Sequence, residues 1–452
     1  MCDRRDSRIS LLRGKGGGYW ILARAVEALN SIPISPSVVY NPHPPYIGPP
    51  EMSLRRSLLL PVFLLGFLHA YIGWRILPDL PVGPELRIMG VVFLFVSCGL
   101  MLLGLLARSF PRRPRSDRIA AAALFTAGFF SSLLVFTLLR DVVLLAAWLP
   151  LSADYLQMLE TSSAVLVVEL TVFATGVGFA NARRRARVKR VDVPLRNLPP
   201  ALNGFSIAQI SDIHVGPTIK RGYVDAIVDA VNALDADLIA VTGDLVDGPV
   251  QDLAPHTAPL ARLSARHGAF FVTGNHEYYS GERAWTAEFK RLGLRVLLNE
   301  HVVVRHWGVP VVIAGVTDYS SHHFNAAQRS DPAAAVAGAP SNAAAKILLA
   351  HQPRSAAAAA TAGFDLQLSG HTHGGQFWPW TLFVRFQQPF TAGLHRLNDL
   401  WVYISRGTGY WGPPNRFGAP SEITLLRLVP AKPSEASGTL EPGGRVLASE
   451  RA

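Results

Sequence analysis

The first part of the chain alternates between long apolar stretches and short charged or proline-containing loops. The apolar stretches cover about residues 57–77, 88–107, 119–139 and 163–180, and each approaches the ~20 residues that a helix needs to cross a hydrocarbon core. One such stretch could be a buried helix, whereas four in succession indicate a membrane domain. We therefore predict a four-helix transmembrane domain over residues 52–182.

From about residue 192 the pattern changes to short apolar runs that end in polar residues and glycine. These runs read "FSIAQISDIH", "ADLIAVTGD", "GAFFVTGNH", "AKILLAH" and "FDLQLSGHTH", and helix-like stretches such as "RGYVDAIVDAVNAL" separate the first three. Strands that alternate with helices predict an α/β domain, which we place at residues 200–428. A basic linker, residues 183–199, is predicted to join it to the membrane domain.

The two ends of the chain differ from both domains. Residues 1–51 are rich in proline and glycine and have no apolar periodicity, so we interpret them as a disordered or misassigned N-terminal extension. Residues 429–452 include "PAKPSEASGTLEPGG" and are predicted to be a disordered tail.

The net charge of +11 first suggests a nucleic-acid partner, but the position of the basic residues argues against one. They are concentrated in "ARSFPRRPRSDR" and "RRRARVKR", beside the apolar stretches, whereas the opposite loops carry only Arg75, Arg87 and Arg140. By the positive-inside rule both ends of the membrane domain are cytoplasmic. We expect a multi-pass protein of the inner (cytoplasmic) membrane with its α/β domain in the cytoplasm, and no nucleic-acid partner.

The predicted strands end in oxygen and imidazole donors and in no cysteine. The candidate metal ligands are Asp212, His214, Asp244, Asn275, His351, His371 and His373. Ligands gather beyond the carboxyl ends of strands in open α/β sheets, and this donor set suits Mn²⁺, Fe²⁺, Zn²⁺ or Co²⁺. Seven donors exceed the needs of one ion, whereas two ions that share one carboxylate would use all of them.

The last ligand block, "LSGHTHGGQ", places two histidines among glycines. Residues two apart in an extended chain point to the same side, so we expect His371 and His373 both to face the metal pair. Gly370 and Gly374 have no side chain that would keep the backbone away.

In order, the blocks "DIH", "GDLVD", "GNHE", "AHQP" and "GHTHGG" resemble the five motifs of the calcineurin-like metallophosphoesterases. The resemblance covers about residues 200–428. With the membrane domain added, the chain is similar to the branch of transmembrane proteins that carry a metallophosphoesterase domain. The resemblance implies a sandwich of two β-sheets flanked by helices, placed after the four membrane helices.

The resemblance also implies a role for each candidate residue. Asp212, His214 and His373 would bind one divalent ion, Asn275, His351 and His371 a second, and Asp244 both. His276 would steady the phosphate and protonate the leaving group. Two ions lower the pKa of water and supply a hydroxide nucleophile at neutral pH. The substrate would be a phosphate ester or a pyrophosphate, and a lipid-linked substrate is one alternative because some relatives cleave a lipid-linked UDP-sugar.

Several alternatives stay open at this point. Arg406 and Arg416 are candidate substrate-binding residues, because a guanidinium can hold a phosphate with two hydrogen bonds. The aromatic stretches "GQFWPWTLFVRF" and "RGTGYWGPPNRFG" form either a lipid-facing rim beside the metal site or ordinary packing. A membrane receptor or sensor with a regulatory phosphoesterase domain is the alternative function, although all seven ligand positions are filled. Metal identity and oligomeric state stay undetermined.

Overall fold

The computed structural model describes residues 54–107 and 114–431. The predicted N-terminal extension, residues 1–51, and residues 432–452 of the predicted tail lie outside the described residues. The tail was predicted to begin at residue 429, but Val429 and Pro430 are part of the last strand.

Four helices precede the α/β domain: α1 (Leu54–Ile76), α2 (Pro84–Ala107), α3 (Pro114–Ala147) and α4 (Ala153–Arg183). The last three are long and apolar enough to cross a membrane, and the described apolar part of α1, Leu60–Ile76, is shorter. With 34 and 31 residues, α3 and α4 are about 50 Å long at 1.5 Å per residue. Both therefore exceed the thickness of a hydrocarbon core and extend beyond the predicted spans.

A buried ionic cluster joins three parts of the helical bundle. The side chain of Arg140 on α3 is 1% exposed and pairs with Asp79 in the loop after α1. It also donates to Ser163 Oγ on α4 at 2.9 Å and to the carbonyl oxygen of Arg75 at 2.8 Å. A buried guanidinium is tolerated only when such partners replace its hydration, so this cluster fixes the helices to one another at this end of the bundle.

The α/β domain contains two six-stranded sheets. Its strands are β1 (Arg187–Leu195), β2 (Ser206–Ile210), β3 (Leu238–Val241), β4 (Ala269–Phe271), β5 (Arg295–Val296), β6 (Glu300–His306), β7 (Val309–Gly315), β8 (Ala345–Leu349), β9 (Leu366–Ser369), β10 (Gly393–Leu397), β11 (Leu400–Ile404) and β12 (Glu422–Pro430). The strand order is β1-β12-β2-β3-β4-β5 in the first sheet and β10-β11-β9-β8-β7-β6 in the second.

The segment predicted as a basic linker is in large part a strand. Within residues 183–199, α4 runs to Arg183 and β1 then pairs in parallel with β12 along its whole length. The alternating residues Val191, Val193 and Leu195 are buried in the core between the sheets. A period-2 apolar pattern of this kind forms a half-buried strand, so the membrane helices connect to the sheet without a flexible spacer.

Helices cover the outer faces of the two sheets. The helices are α5 (Arg221–Asn232), α6 (Val250–Thr257), α7 (Asn275–Ser280), α8 (Glu282–Arg291), α9 (Pro332–Val336), α10 (Ala356–Thr361) and α11 (Trp380–Phe383). Side chains such as Ile207 and Ile347 fill the space between the sheets. Ile227 and Trp285 pack on the outside of the first sheet, and Ala359 packs on the outside of the second. The predicted α/β sandwich is confirmed.

The α/β domain contacts the long helices α3 and α4 directly. Arg183 at the end of α4 donates to the carbonyl oxygen of Thr218 at 2.8 Å, and Lys220 pairs with Asp117 of α3 at 2.6 Å. The backbone N–H of Arg416 donates to the carbonyl oxygen of Gly178 at 2.9 Å. The last contact lies inside the apolar part of α4, not at its polar end.

Candidate metal centre

The strands that precede the predicted ligands are neighbours in the two sheets. Strands β2, β3 and β4 are adjacent and parallel in the first sheet, as are β8 and β9 in the second. Their carboxyl ends therefore meet at one edge of the sandwich. There, Gln209 Nε2 of β2 donates to the carbonyl oxygen of Ser369 of β9 at 2.9 Å, which ties the two sheets together directly below the site.

One group of donors, which we call the first position, consists of Asp212, His214 and His373. The Nε2 atoms of His214 and His373 lie 3.1 Å apart, and His373 Nε2 is 3.4 Å from Asp212 Oδ1. Donors that share one cation at ~2.0–2.2 Å lie about 3 Å from each other. The spacing of these three side chains therefore fits a shared ion.

A second group, the second position, combines Asp244, His351 and His371. His351 Nε2 lies 3.1 Å from Asp244 Oδ2 and 3.2 Å from His371 Nδ1. Asn275, the first residue of α7, has a buried Oδ1 with no hydrogen-bond partner among the described residues. Buried acceptors are nearly always paired, so this orphaned oxygen fits the predicted ligand role of Asn275.

The carboxylate of Asp244 lies between the two positions. Its Oδ2 is 3.1 Å from His351 Nε2 and 3.9 Å from His214 Nε2. Burial by itself would raise the pKa of this carboxyl, but His351 and His276 outweigh burial and hold the pKa well below its usual range. Asp244 is therefore an ionised group placed to serve both positions.

His276 belongs to neither position and lies beside them. Its Nε2 is 4.0 Å from Asp244 Oδ2, and its Nδ1 is 2.6 Å from Asp247 Oδ1. The same oxygen of Asp247 is 3.0 Å from His214 Nδ1. Burial would lower the pKa of His276, but the carboxylates of Asp244 and Asp247 raise it to about 9. Asp247 thus orients two rings and favours the cationic form of His276.

Five of the predicted ligands have a left-handed backbone. Their φ angles are 55° for Asp212, 57° for His214, 54° for Asp244, 70° for His371 and 51° for His373. A non-glycine residue in this region costs about 1–3 kcal/mol, and such strain concentrates at functional sites. The expectation that His371 and His373 lie on one extended segment was wrong, because the chain turns at both residues and directs one ring to each position.

Two glycines allow the ligand loops to approach one another. A Cβ atom at Gly370 would lie 2.2 Å from Asp212 Oδ2, and one at Gly274 would lie 2.1 Å from Asp244 Oδ1. These distances are far below van der Waals contact. The glycine in front of His371 therefore provides the space that the sequence pattern suggested.

The two candidate substrate-binding arginines lie in different environments. Arg416 is fully buried, and it donates to the carbonyl oxygens of Gly409 and Arg406 at 3.0 and 2.7 Å. Its Nη2 lies 2.9 Å from His373 Nδ1. Burial lowers the pKa of Arg416 to about 10, so it remains a cation at neutral pH. A phosphate cannot reach this side chain, which corrects the substrate-binding prediction for Arg416. Arg406 is half-buried beside the ligand loop at Gly374, and its role stays a prediction.

Two further acidic residues support the site without belonging to either position. Glu277 accepts hydrogen bonds from the backbone N–H groups of Gly274, Leu245 and Asp244 at 2.7, 2.8 and 3.0 Å, and so joins two ligand loops. Asp318 is fully buried and accepts from Gln352 Nε2 at 3.1 Å. We did not predict Asp318, although it follows the apolar run "VPVVIAGVT" in the same way that the ligands follow theirs.

Comparison with known proteins identifies related chains. A family model described as calcineurin-like phosphoesterase matches residues 205–375. A transmembrane protein with metallophosphoesterase domain from Bos taurus is 38% identical over 292 residues, which cover 62% of this chain and 65% of that protein. An uncharacterised metallophosphoesterase of Helicobacter pylori is 38% identical, with 56% and 66% covered. One of Campylobacter jejuni is 34% identical, with 58% and 68% covered. The chain thus spans about two thirds of the length of these relatives.

Proposed function

Because the chain belongs to the calcineurin-like phosphoesterase family, we propose that it is a membrane-associated, metal-dependent phosphoesterase. The observation that carries this proposal is the carboxylate of Asp244, placed between two groups of imidazole and carboxylate donors. The first position would hold one divalent ion and the second position, completed by Asn275, would hold another. Mn²⁺, Fe²⁺, Zn²⁺ and Co²⁺ all suit these donors.

The protein's own residues account for much of the proposed chemistry. When bound, two divalent ions lower the pKa of water and stabilise charge on the attacking and leaving oxygens of a phosphoryl group. His276, fixed through Nδ1 by Asp247, presents Nε2 toward the site and would donate a proton to the leaving oxygen. Its pKa of about 9 would fall beside the cations, toward the neutral range in which a general acid works best. Arg406 is the remaining candidate for a contact to the phosphate.

We place the active site at the cytoplasmic face of the membrane. The basic residues beside the apolar stretches support this orientation. The four predicted spans anchor the domain, and the direct contacts of α3 and α4 with the α/β domain hold the site close to the bundle.

A lipid-linked phosphate ester or pyrophosphate is the substrate class that we propose. The site is near the membrane helices, since Arg416 contacts both His373 and the backbone of Gly178 on α4. The ring of Trp411 lies 5.8 Å from that of His276, which supplies an apolar wall beside the proposed proton donor. A phosphate carried at the headgroup level of a bilayer would reach such a site while its acyl chains stay in the membrane.

Hydrolysis of bis-p-nitrophenyl phosphate by the purified full chain with Mn²⁺ tests the enzymatic proposal. We expect turnover by the parent protein and its loss in Asp244→Asn, which removes the shared negative charge. Asp399→Asn is the matched control, because the Asp399 side chain is 82% exposed on a hairpin of the second sheet. Equal rates for all three proteins would reject the enzyme and favour the receptor or sensor alternative.

The substrate class requires a separate comparison. Phosphate esters and pyrophosphates with diacyl chains, in mixed micelles, are compared with short-chain analogues that have the same headgroup. We expect a higher kcat/KM for the diacyl forms. Equal values for the two forms would leave the phosphoesterase intact and reject the lipid-linked substrate.

A further inference from the structure

An apolar segment begins directly after the loop that contains His371 and His373, which we call the metal-centre loop. Residues 376–390 read "QFWPWTLFVRFQQPF", and we call them the aromatic prong. Large side chains of this segment are exposed: Trp380 (41%), Leu382 (50%), Phe383 (50%) and Phe386 (75%). The surface of a water-soluble protein rarely presents so many neighbouring apolar groups. The exposure of these side chains therefore needs an explanation.

The aromatic prong packs along α3, far from the polar start of that helix. The ring of Trp378 stacks on Phe136 with centroids 5.4 Å apart. Trp380 Nε1 donates to Ser131 Oγ at 3.2 Å. Both contacts fall within residues 119–139 of α3, a stretch without ionisable residues.

Two ionic contacts on α3 bracket this apolar stretch. Asp117 pairs with Lys220 at one end, and Arg140 pairs with Asp79 at the other. The 23 residue steps from Asp117 to Arg140 correspond to about 35 Å of helix at 1.5 Å per residue, close to the ~30 Å of a hydrocarbon core. Ser131 and Phe136 lie about 21 and 28 Å along the helix from Asp117. Ser131 therefore lies well inside the ionic borders, and Phe136 lies about 6 Å from the border at Arg140.

Contacts with neighbouring helices show that this part of α3 lies in the middle of the bundle. Phe130 of α3 stacks on His69 of α1 at 4.2 Å, and Phe129 contacts Phe93 of α2 at 5.5 Å. These partners lie in the central part of α1 and α2. On the outside of α2, Phe95 is 80% exposed. The prong therefore contacts α3 at a height in the bundle at which α2 also presents an apolar side chain outward.

We propose that the aromatic prong is inserted into the hydrocarbon of the bilayer beside α3, with lipid acyl chains as its partner. Its exposed face continues the outward apolar surface of the helices at the same level. Arg385 is the one charged residue of the segment. Its guanidinium lies 5.2 Å from the ring centre of Phe386, and its long side chain can extend toward the headgroups. Insertion does not depend on the proposed hydrolysis, and it would hold the metal-centre loop beside α3.

Site-directed spin labelling of the full chain in phospholipid nanodiscs tests the insertion. Cys2 and Cys98, the only cysteines, are replaced by serine, and a label is attached at Phe383→Cys or Phe386→Cys. Phe95→Cys on α2 is the lipid-exposed control, and Trp307→Cys, 72% exposed on the β6–β7 turn, is the water-exposed control. Collision rates with oxygen, which partitions into hydrocarbon, and with a water-soluble nickel chelate are measured at each position.

We expect labels at positions 383 and 386 to collide mainly with oxygen, as at position 95. A preference for the nickel chelate, as at position 307, would overturn the insertion and place this part of α3 outside the bilayer. Low accessibility to both reagents would also overturn it, because a protein partner or a second copy would then cover the prong. The labelled side chains are exposed, so their replacement removes little packing, and none of these outcomes depends on catalytic activity.

Discussion

Asp244 lies between the first and second positions, but the two positions are supported by different parts of the molecule. In the second position, His351 is fixed by the backbone, since its Nδ1 lies 2.7 Å from the carbonyl oxygen of Thr242. In the first position, Arg416 Nη1 donates to the carbonyl oxygen of His373 at 3.1 Å, and Arg416 Nη2 lies 2.9 Å from Nδ1 of the ring. The backbone of Arg416 is in turn bound to Gly178 of α4. One position is thus part of the sheets, and the other is connected to the membrane helices.

The two supports have opposite effects on the imidazole. A carbonyl oxygen that accepts the N–H of His351 orients the ring and increases its basicity as a ligand. The guanidinium of Arg416 instead places a positive charge beside Nδ1 of the His373 ring. Burial, and next the charge of Arg416, hold the pKa of His373 well below its usual range. We therefore expect the second position to bind a divalent ion more tightly than the first.

Removal of one ligand from each position should have the largest effect. We expect His351→Ala and His373→Ala each to lower phosphoesterase activity by more than about 100-fold. Substitution of a residue that only orients a metal ligand already lowers metal affinity or activity about 10–100-fold. Metal analysis should show retention of one ion in His373→Ala and a greater loss in His351→Ala. His395→Ala, a change of a half-buried histidine on β10, is the control. Equal metal loss in the two variants would remove the proposed difference between the positions.

Replacement of Arg416 should weaken the first position alone. Arg416→Lys keeps a positive charge but cannot maintain the hydrogen bonds to His373, Gly409 and Arg406 together. We expect the affinity for Mn²⁺ to fall about 10–100-fold at one of two sites, as measured by titration calorimetry. A thermal unfolding curve controls for general damage, because the side chain is buried. Equal weakening at both sites in a folded protein would contradict the separate support of the two positions.

The ligands of both positions could be predicted from the sequence. They follow short buried strands, and parallel neighbouring strands end at the same edge, so the donors were expected to lie together before the sheets were known. The pattern also predicted an α/β domain, and the family resemblance implied its two-sheet sandwich. The apolar stretches located the membrane helices, but their lengths were underestimated, because α3 and α4 continue past the charged residues that were taken as their borders.

The support of the first position could not be predicted from the local pattern. Arg416 is 43 residues away from His373 in sequence, and a phosphate contact was the simpler expectation for an arginine in a glycine-rich loop. Its burial results from packing between the metal-centre loop and α4. Similarly, the period-2 pattern of Val191, Val193 and Leu195 was hidden among basic residues, which suggested a linker where β1 forms.

Loss of charge at Asp247 should change the pH dependence of activity. Asp247→Asn keeps an oxygen acceptor for His214 and His276, but it removes one of the three carboxylates, those of Asp244, Asp247 and Glu277, that raise the pKa of His276. The pKa of His276 should therefore fall. Because the proposed role requires the protonated ring, the alkaline limb of the kcat profile should move to lower pH, with about a tenfold loss of activity. An alkaline limb that stays at the same pH in Asp247→Asn would argue against His276 as the proton donor. The same shift in a protein that also carries His276→Ala would argue against it as well.

The smallest expected effect starts in the membrane helices. A Cβ atom at Gly178 would lie 1.8 Å from Asn415 Oδ1 and 3.1 Å from the backbone nitrogen of Phe417, whereas one at Gly176 would meet no heavy atom of residues 54–107 or 114–431 within 4 Å. Both alanine variants favour the helix by up to about 1 kcal/mol, so their difference isolates the contact with the loop that carries Arg416. We expect Gly178→Ala to displace this loop and to weaken Mn²⁺ binding several-fold at the first position, with no change in Gly176→Ala. Identical titrations for the two variants would mean that α4 does not influence the metal centre.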